Sequence, residues 1–461
     1  MSGVNLLSPV LDGGIQNVNF VNGRVLTAED MMAERRAGLQ RQRLLGTCAG
    51  EGVSNGLEVT VSSSSVPFGQ QAVHVSAGLA VNRNGDVLQL GTDTDVTLAA
   101  PAAAAPANSG LFTPCQPPQT QLTNPGIYVL TILPASGYQG QVPVVQLNST
   151  GAAASCSSQY ATSGVQFRLL QLILDPAGSA LQASLLALAN QIQTQLASGA
   201  SAASVAPALS QFRNGMAYAC FGTERVEQYA TNPLDFLGGA SSFASYGLLD
   251  QARGAGLLTG CEVPLALVYW TSAGIQFVDM WAARRRLTLG AVSGKLPLVE
   301  GDRRVSEAEA MFLQFEDHAQ SLLSGPAGLA TIAADAYFLF LPPAGMVEVT
   351  GNGITAVTTN APLSGFDPPT FFGAHASKDI ATTNGSLLRE LFHDALYHEP
   401  IPLANTGEIQ LYLVWDNLQA VNGGGSGQLA AVFASGALRY RGIARFGTAK
   451  WSLSRFAPRV I

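Results

Sequence analysis

The sequence predicts an α+β fold of several modules, in which β-rich antiparallel sheets and hairpins are joined to capped helices. Three features carry that expectation. Helix starts are marked by Thr27 with Asp30 and by Ser306 with Glu309, a capping hydroxyl followed three residues on by a carboxylate near the positive end of the helix dipole. Short runs such as Gly56 to Val61 and Ala72 to Val75 alternate apolar and polar residues, the period of a strand. Asn84-Gly85, between Leu79 to Val81 and Val87 to Leu90, is the pair that a two-residue hairpin turn requires.

Residues 1–98 form the first module. An extended stretch from Asn17 to Leu26 feeds a helix from Ala28 to Leu45, with Gly46 as its stop. The alternating segments follow, so the module reads as one helix packed on a small antiparallel β-structure. Residues 99–125 are Ala/Pro-rich and read as a linker or long surface loop. A middle module, residues 126–290, holds strands at Ile127 to Leu133 and Val165 to Leu174. Two helices come next between Ser179 and Ala219, broken at Ser198-Gly199-Ala200-Ser201. A hairpin of Val263 to Trp270 and Ile275 to Trp281 closes this module, and its broken alternation suggests burial on both faces. The C-terminal module, residues 291–461, has a helix from Ser306 to about Leu323 with Phe312 and Phe315 in its apolar stripe. Strands are expected at Ala336 to Leu341, Met346 to Thr350, Ile409 to Trp415 and Leu429 to Phe433, with a helix from Ser386 to Tyr397. Asn422 to Gly427 is a loop tip.

Composition bounds the function. Charged residues make up 12% of the 461-residue chain, against roughly 25% in an ordinary soluble domain. Even a large fold exposes surface that ionised side chains normally cover, so the deficit points to surface shared with other subunits. A membrane span would need about 18 apolar residues in a row. Val263 to Trp270 is half that, and polar residues from Gln182 to Gln195 interrupt the Ala/Leu-rich stretch at Ala180 to Ala197. The net charge of −7 argues against a general nucleic-acid binder, which must neutralise phosphates. Met1 to Leu7 lacks the basic patch and apolar run of a secretory signal. The five cysteines contain no Cys-x-x-Cys pair and read as reduced thiols of a cytoplasmic protein, with Cys115 to Cys156 the one bridge weighed against that reading.

A search for chemistry returns little. His393 and His398 are five apart, roughly 140° round a helix from each other, and Asp394 with His398 supplies only two ligands, so no metal is expected. Gly351-Asn352-Gly353 lacks the following helix that would hold a pyrophosphate, and no phosphate loop or nucleophile elbow is present, so no cofactor and no enzyme activity are expected. His74, His318 and His375 read as structural. Two basic groups remain, Arg35, Arg36, Arg41 and Arg43 on the first helix and Arg284 to Arg286 after the Trp281 strand. Each reads either as a solvated face or as a dock for an acidic neighbour, and Arg41 and Arg43 are the candidate interface residues.

The run from Asn19 to Asp30, the blocks Gly52 to Val59 and Val75 to Gly85, and the later strand pair from Val263 to Asp279 with its arginines together resemble baseplate and tail-tip proteins of contractile injection systems and related phage tails. That resemblance implies a structural, noncatalytic subunit near the baseplate or spike end, as a baseplate extension, fibre-like element or cage. Its partners would be further copies of itself and other particle subunits, in a particle assembled in the cytoplasm and then released or docked at a membrane. The alternative within the same machine is a receptor- or carbohydrate-binding component, for which Phe366, Phe371 and Phe372 would have to form an exposed platform rather than pack beneath their Pro-rich loop.

Overall fold

The computed structural model describes residues 11, 13–62, 71–98, 126–144, 155–222, 247–271, 273–287, 301–323, 332–349, 368–383, 390–392, 394–395, 398–404, 408–415, 429–436, 438, 451–452 and 457–458. The expectations for 99–125, Cys115, Gly351 to Gly353, Phe366, His393 and Asn422 to Gly427 lie outside the described residues. The fold is α+β, with several small, mainly antiparallel sheets.

Helix α1 spans Ala28–Ala49 and begins as its sequence dictates. Thr27 Oγ1 accepts from the Asp30 amide at 3.2 Å, and Asp30 Oδ2 accepts from the Thr27 amide at 3.1 Å. Its end differs from the expectation: the helix runs through Gly46 and closes at Gly50, whose φ of 98° suits only glycine. Gly46 serves contact instead, because a Cβ there would lie 2.1 Å from the Gly85 carbonyl oxygen. The chain before α1 folds back along it without pairing as a strand, and the Val18 amide donates to Glu34 Oε2 at 3.3 Å.

Six short strands follow: β1 (Gly52–Gly56), β2 (Val59–Val61), β3 (Ala72–Val75), β4 (Gly78–Val81), β5 (Val87–Leu90) and β6 (Thr94–Thr97). They form two antiparallel sheets, ordered β1-β4-β5 and β2-β3-β6. The expected single strand from Gly56 to Val61 is broken by Leu57, which takes a left-handed φ of 55° and turns a fully buried side chain into the core as the chain passes between sheets. The hairpin between β4 and β5 forms where expected but with a three-residue loop. Asn82 N bonds Asp86 O, Gly85 N bonds Asn82 O, and Gly85 supplies the left-handed residue at φ 80°.

The central sheet is ordered β10-β7-β11-β12, built from β7 (Gly126–Gln139), β10 (Tyr160–Leu172), β11 (Val263–Thr271) and β12 (Gly274–Asp279). A separate small pair, β8 (Val142–Val144) and β9 (Ser155–Ser157), extends the hairpin between β7 and β10. Helices α2 (Ala180–Ala197) and α3 (Ala202–Phe221) break where the Ser-Gly-Ala-Ser run placed the break, each opened by a serine cap at Ser179 or Ser201. A short α4 (Leu248–Gly254) precedes β11. Burial on both faces of the sheet is realised. Ile127 and Val129 of β7, with Leu267 and Tyr269 of β11, join the core under α2 and α3. Leu130, Ile132, Leu265 and Val268 face the opposite way and share a core with Leu57, Val73, Ala80 and Leu88 of the first module. Strand β12 stops at Asp279 rather than Trp281, because the Asp279 carboxylate accepts from the Ala282 amide at 3.0 Å and caps α5 (Met280–Ala283).

Helix α6 spans Gly301–Leu323, so Ser306 is buried in its second turn rather than capping its start, a correction to the expected capping box. The strand expected at Ala336 to Leu341 resolves into α7 (Ala334–Tyr337) and the two-residue β13 (Phe340–Leu341). Next come β14 (Ala344–Val349), α8 (Pro368–Phe372), β15 (Ala376–Thr383), β16 (Ile401–Pro402), β17 (Ile409–Trp415) and β18 (Leu429–Ser435). The sheet is ordered β14-β18-β17-β15, with β15 parallel to β17. Strand β15 has no alternating pattern to announce it, and of the helix expected from Ser386 the described turns are 390–392 and 394–395. Cys261 is disulfide-bonded while Cys48, Cys156 and Cys220 are free, which corrects both the reading of five reduced thiols and the Cys115 to Cys156 pairing.

Candidate functional site

Three places could carry function: the charged groups flagged in the sequence, the buried polar contacts where the modules meet, and the surface of α1. Of the arginines after β12, Arg284 is buried and Arg285 half-buried, while Arg286 stays exposed. Arg284 donates to the Leu57 carbonyl at 3.0 Å and stacks over Trp281. Burial lowers its pKa, and Glu58 partly offsets that. Arg285 donates to the carbonyls of Trp281, Ala282 and Arg284 at the end of α5, with its guanidinium 4.8 Å over the Phe221 ring. Arg286 pairs with Glu309 of α6 at 2.6 Å. This cluster therefore joins the first module, the central sheet and α6, and does not present a docking patch.

Beside it lies a cavity of about 70 Å³, lined by Glu51, Cys220, Arg253, Arg285, Ser306 and Glu307 among others. Glu262 at its wall accepts from Thr131 Oγ1, Arg168 NH1 and both the amide and hydroxyl of Thr259, at 2.8–3.0 Å, so its carboxylate is saturated by scaffold contacts. Burial pushes the Cys220 thiol up to about 12, with Asp279 adding to that and Arg285 opposing it. A thiol held protonated in this way is a packing residue, not a nucleophile.

Between α3 and α6 sits a second buried group. Arg213 Nε donates to Asp279 Oδ2 at 2.8 Å and its NH2 to Asp317 at 2.5 Å, while Gln314 donates to the same Asp279 oxygen at 3.0 Å. Burial alone would lower the Arg213 pKa, but the two carboxylates override it and hold the guanidinium above its ordinary range. Ser210 Oγ lies 2.7 Å from His318 Nε2 and donates its proton to the Tyr337 carbonyl at 2.9 Å. Since that proton is engaged, Nε2–H is the histidine's donor and Nδ1 is bare, buried without a hydrogen-bond partner. Burial, reinforced by Arg213, pushes the His318 pKa well below its ordinary value. The pair is a sealed structural contact: a serine whose proton is already bonded to a carbonyl is not activated by its histidine.

The remaining sequence candidates divide as follows. His74, to which the sequence assigned no partner, faces Asp95 across the β3–β6 register at 2.9 Å. His398 bonds the Ala395 carbonyl through its amide, and no group of three or more metal-ligating side chains occurs among the described residues. Phe371 and Phe372 are buried against Phe338 and Phe433, so they form no exposed platform. Arg43 is committed within the chain, its Nε 2.5 Å from Asp86, where it clamps α1 to the β4–β5 hairpin, whereas Arg41 is exposed. Of the two candidate interface residues, only Arg41 thus faces outward.

What remains is the outer part of α1. Its C-terminal turns dock on the hairpin through Gly46 and Arg43, while only Ala37 and Gly46 of the whole helix are buried. Around its start, Phe20, Val21, Val25, Leu26, Met31 and Met32 are 47–84% exposed. These six exposed apolar side chains fall within thirteen consecutive positions. Glu29, Arg35, Arg36 and Arg41 on the same helix make no ion pair among the described residues. No family model matches this chain, and no curated protein matches it in sequence.

Proposed function

We propose that this protein is a noncatalytic structural subunit of a contractile, phage-tail-like injection particle, positioned near its baseplate or spike end as an extension, fibre-like or cage component. The observation that carries the reading is the exposed apolar end of α1 and its preceding arm. Large apolar side chains left exposed together on the arm and first turns of α1 are the mark of a surface covered in an assembly. The resemblance of the same segment, Asn19 to Asp30, to baseplate proteins supplies the kind of assembly. Arg284, Arg285 and the Arg213 pairs with Asp279 and Asp317 support it as well, since they spend a small complement of charges on fixing the modules to one another. No helix among the described residues is long and apolar enough to cross a membrane. The Cys261 disulfide fits a particle that leaves the reducing cytoplasm after assembly.

The test is to introduce Met31→Asp together with Met32→Asp and image purified particles by electron microscopy. Loss of the subunit's density from the baseplate region, with unchanged circular dichroism of the isolated protein, is the expected result. Particles that form normally with the unaltered subunit absent from the baseplate region would overturn the reading.

A further inference from the structure

We infer that the surface of α1 is covered by α1 of a second copy of this chain, packed antiparallel about a two-fold axis near Met32. The inference deepens the assembly reading above and rests on it. Glu29, Met32 and Arg36 fall within roughly 60° of one another around the helix, at the spacing of one face. Met32 is 51% exposed, and Glu29 and Arg36 are exposed, neither in an ion pair among the described residues. Along the helix the acids come first, Glu29, Asp30 and Glu34, and the arginines second, Arg35, Arg36, Arg41 and Arg43.

That polarity selects both the occupant and its direction. A second α1 laid parallel sets acid against acid and arginine against arginine. Laid antiparallel, with Met32 meeting Ala33 of the partner at the axis, it sets Glu29 against the partner's Arg36 and Arg36 against the partner's Glu29. Such a contact is isologous, using one patch twice. It also carries each Val25 and Leu26, themselves 84% and 47% exposed, toward the middle of the other copy's helix, near its Leu39 and Gln40. The Arg43–Asp86 clamp fixes the base of the helix, so the outer turns are presented in one orientation.

Sedimentation equilibrium of the full chain tests this with a charge swap. Glu29→Arg alone and Arg36→Glu alone each convert two attractive contacts of the symmetric pair into repulsive ones, and each is expected to weaken dimerisation roughly tenfold. The double variant Glu29→Arg with Arg36→Glu re-creates both pairs and is expected to restore dimerisation to within roughly threefold of the original. Met32→Asp is expected to abolish it. Circular dichroism on every variant separates lost association from lost helix. A chain monomeric at all concentrations, a double variant as weak as the singles, or a dimer indifferent to all four changes would overturn the inference. So would a Met32→Asp chain that loses melting temperature without losing association, which would mean that the patch is covered by the chain itself. The same variants are scored for entry into particles: entry of chains that never dimerise defeats the inference and leaves the assembly reading standing, whereas absence of the unaltered chain from particles defeats the assembly reading itself.

Discussion

Helices α1 and α3 are nearly equal in length, 22 and 20 residues, yet only two residues of α1 are buried while thirteen of α3 are. Their charges run the other way: α1 carries seven ionisable acids and arginines, α3 only Arg213. In α3 that one charge lies inside, matched by Asp279 and Asp317, and the helix is the pillar on which the central sheet, α6 and α7 rest. In α1 Glu29, Arg35, Arg36 and Arg41 face solvent, while Asp30 caps the helix, Glu34 holds the preceding arm and Arg43 clamps the helix to Asp86. One helix organises the chain internally, and the other is held by its end and offered outward.

The difference can be broken most severely at Arg213. Replacing it with Met leaves Asp279 fully buried beside Gln314 without its cation, and a loss of about 3–5 kcal/mol in urea unfolding is expected, the usual cost of orphaning a buried charge. Arg41→Ala on α1, the matched control, should change unfolding by no more than about 0.5 kcal/mol, as at ordinary surface sites. Equal effects from the two would erase the contrast.

Next in size is the attachment of α1. Gly46→Ala places a methyl group against the Gly85 backbone, which has no flexible side chain to yield, so about 1–3 kcal/mol is expected. The damage should be local: amide exchange should quicken in residues 82–86 and in the last turns of α1 while β7 and β11 stay protected. Uniform quickening would show that α1 is part of the central cooperative unit.

A smaller effect concerns pH. The unfolded chain binds a proton at histidine near pH 6.5, whereas His318 in the fold resists protonation to well below that. Between those two values the unfolded state holds the extra proton, so stability falls as pH drops below about 6.5 and this contribution is absent above it. His318→Gln should flatten that part of the stability profile. A slope that persists unchanged would assign the acid sensitivity to another group.

The mildest perturbation is alkylation, which should distinguish the two helices without disturbing either. Cys48 on α1 is exposed and is expected to react with iodoacetamide in the native protein, as is the exposed Cys156. Cys220 on α3, buried and held protonated, should react only after unfolding. Native labelling of Cys220 would mean that the cavity beside it opens readily.

Local chemistry was legible in the chain wherever a few neighbouring residues settle a structure. The Thr27–Asp30 cap, the break between α2 and α3 and the site of the β4–β5 hairpin depend on contacts within a handful of positions, and each formed where the sequence put it. The two-faced burial of the β11–β12 hairpin was also readable, in the broken alternation of Ile275, Phe277 and Val278, which divide between the two cores. Tertiary structure decided what local pattern cannot encode. Gly46 reads as a helix stop until the hairpin approaches it, and Ser306 reads as a cap until α6 is found to begin a turn and a half earlier. The arginines tell the same story: nothing along the chain distinguishes Arg43, whose carboxylate partner lies 43 residues away on another element, from the exposed Arg41 two positions before it. Charge and periodicity determine which residues need partners, but only packing in three dimensions determines whether the partner belongs to the same chain, since the energy of an ion pair or an apolar contact depends on distance in space and not on separation in sequence.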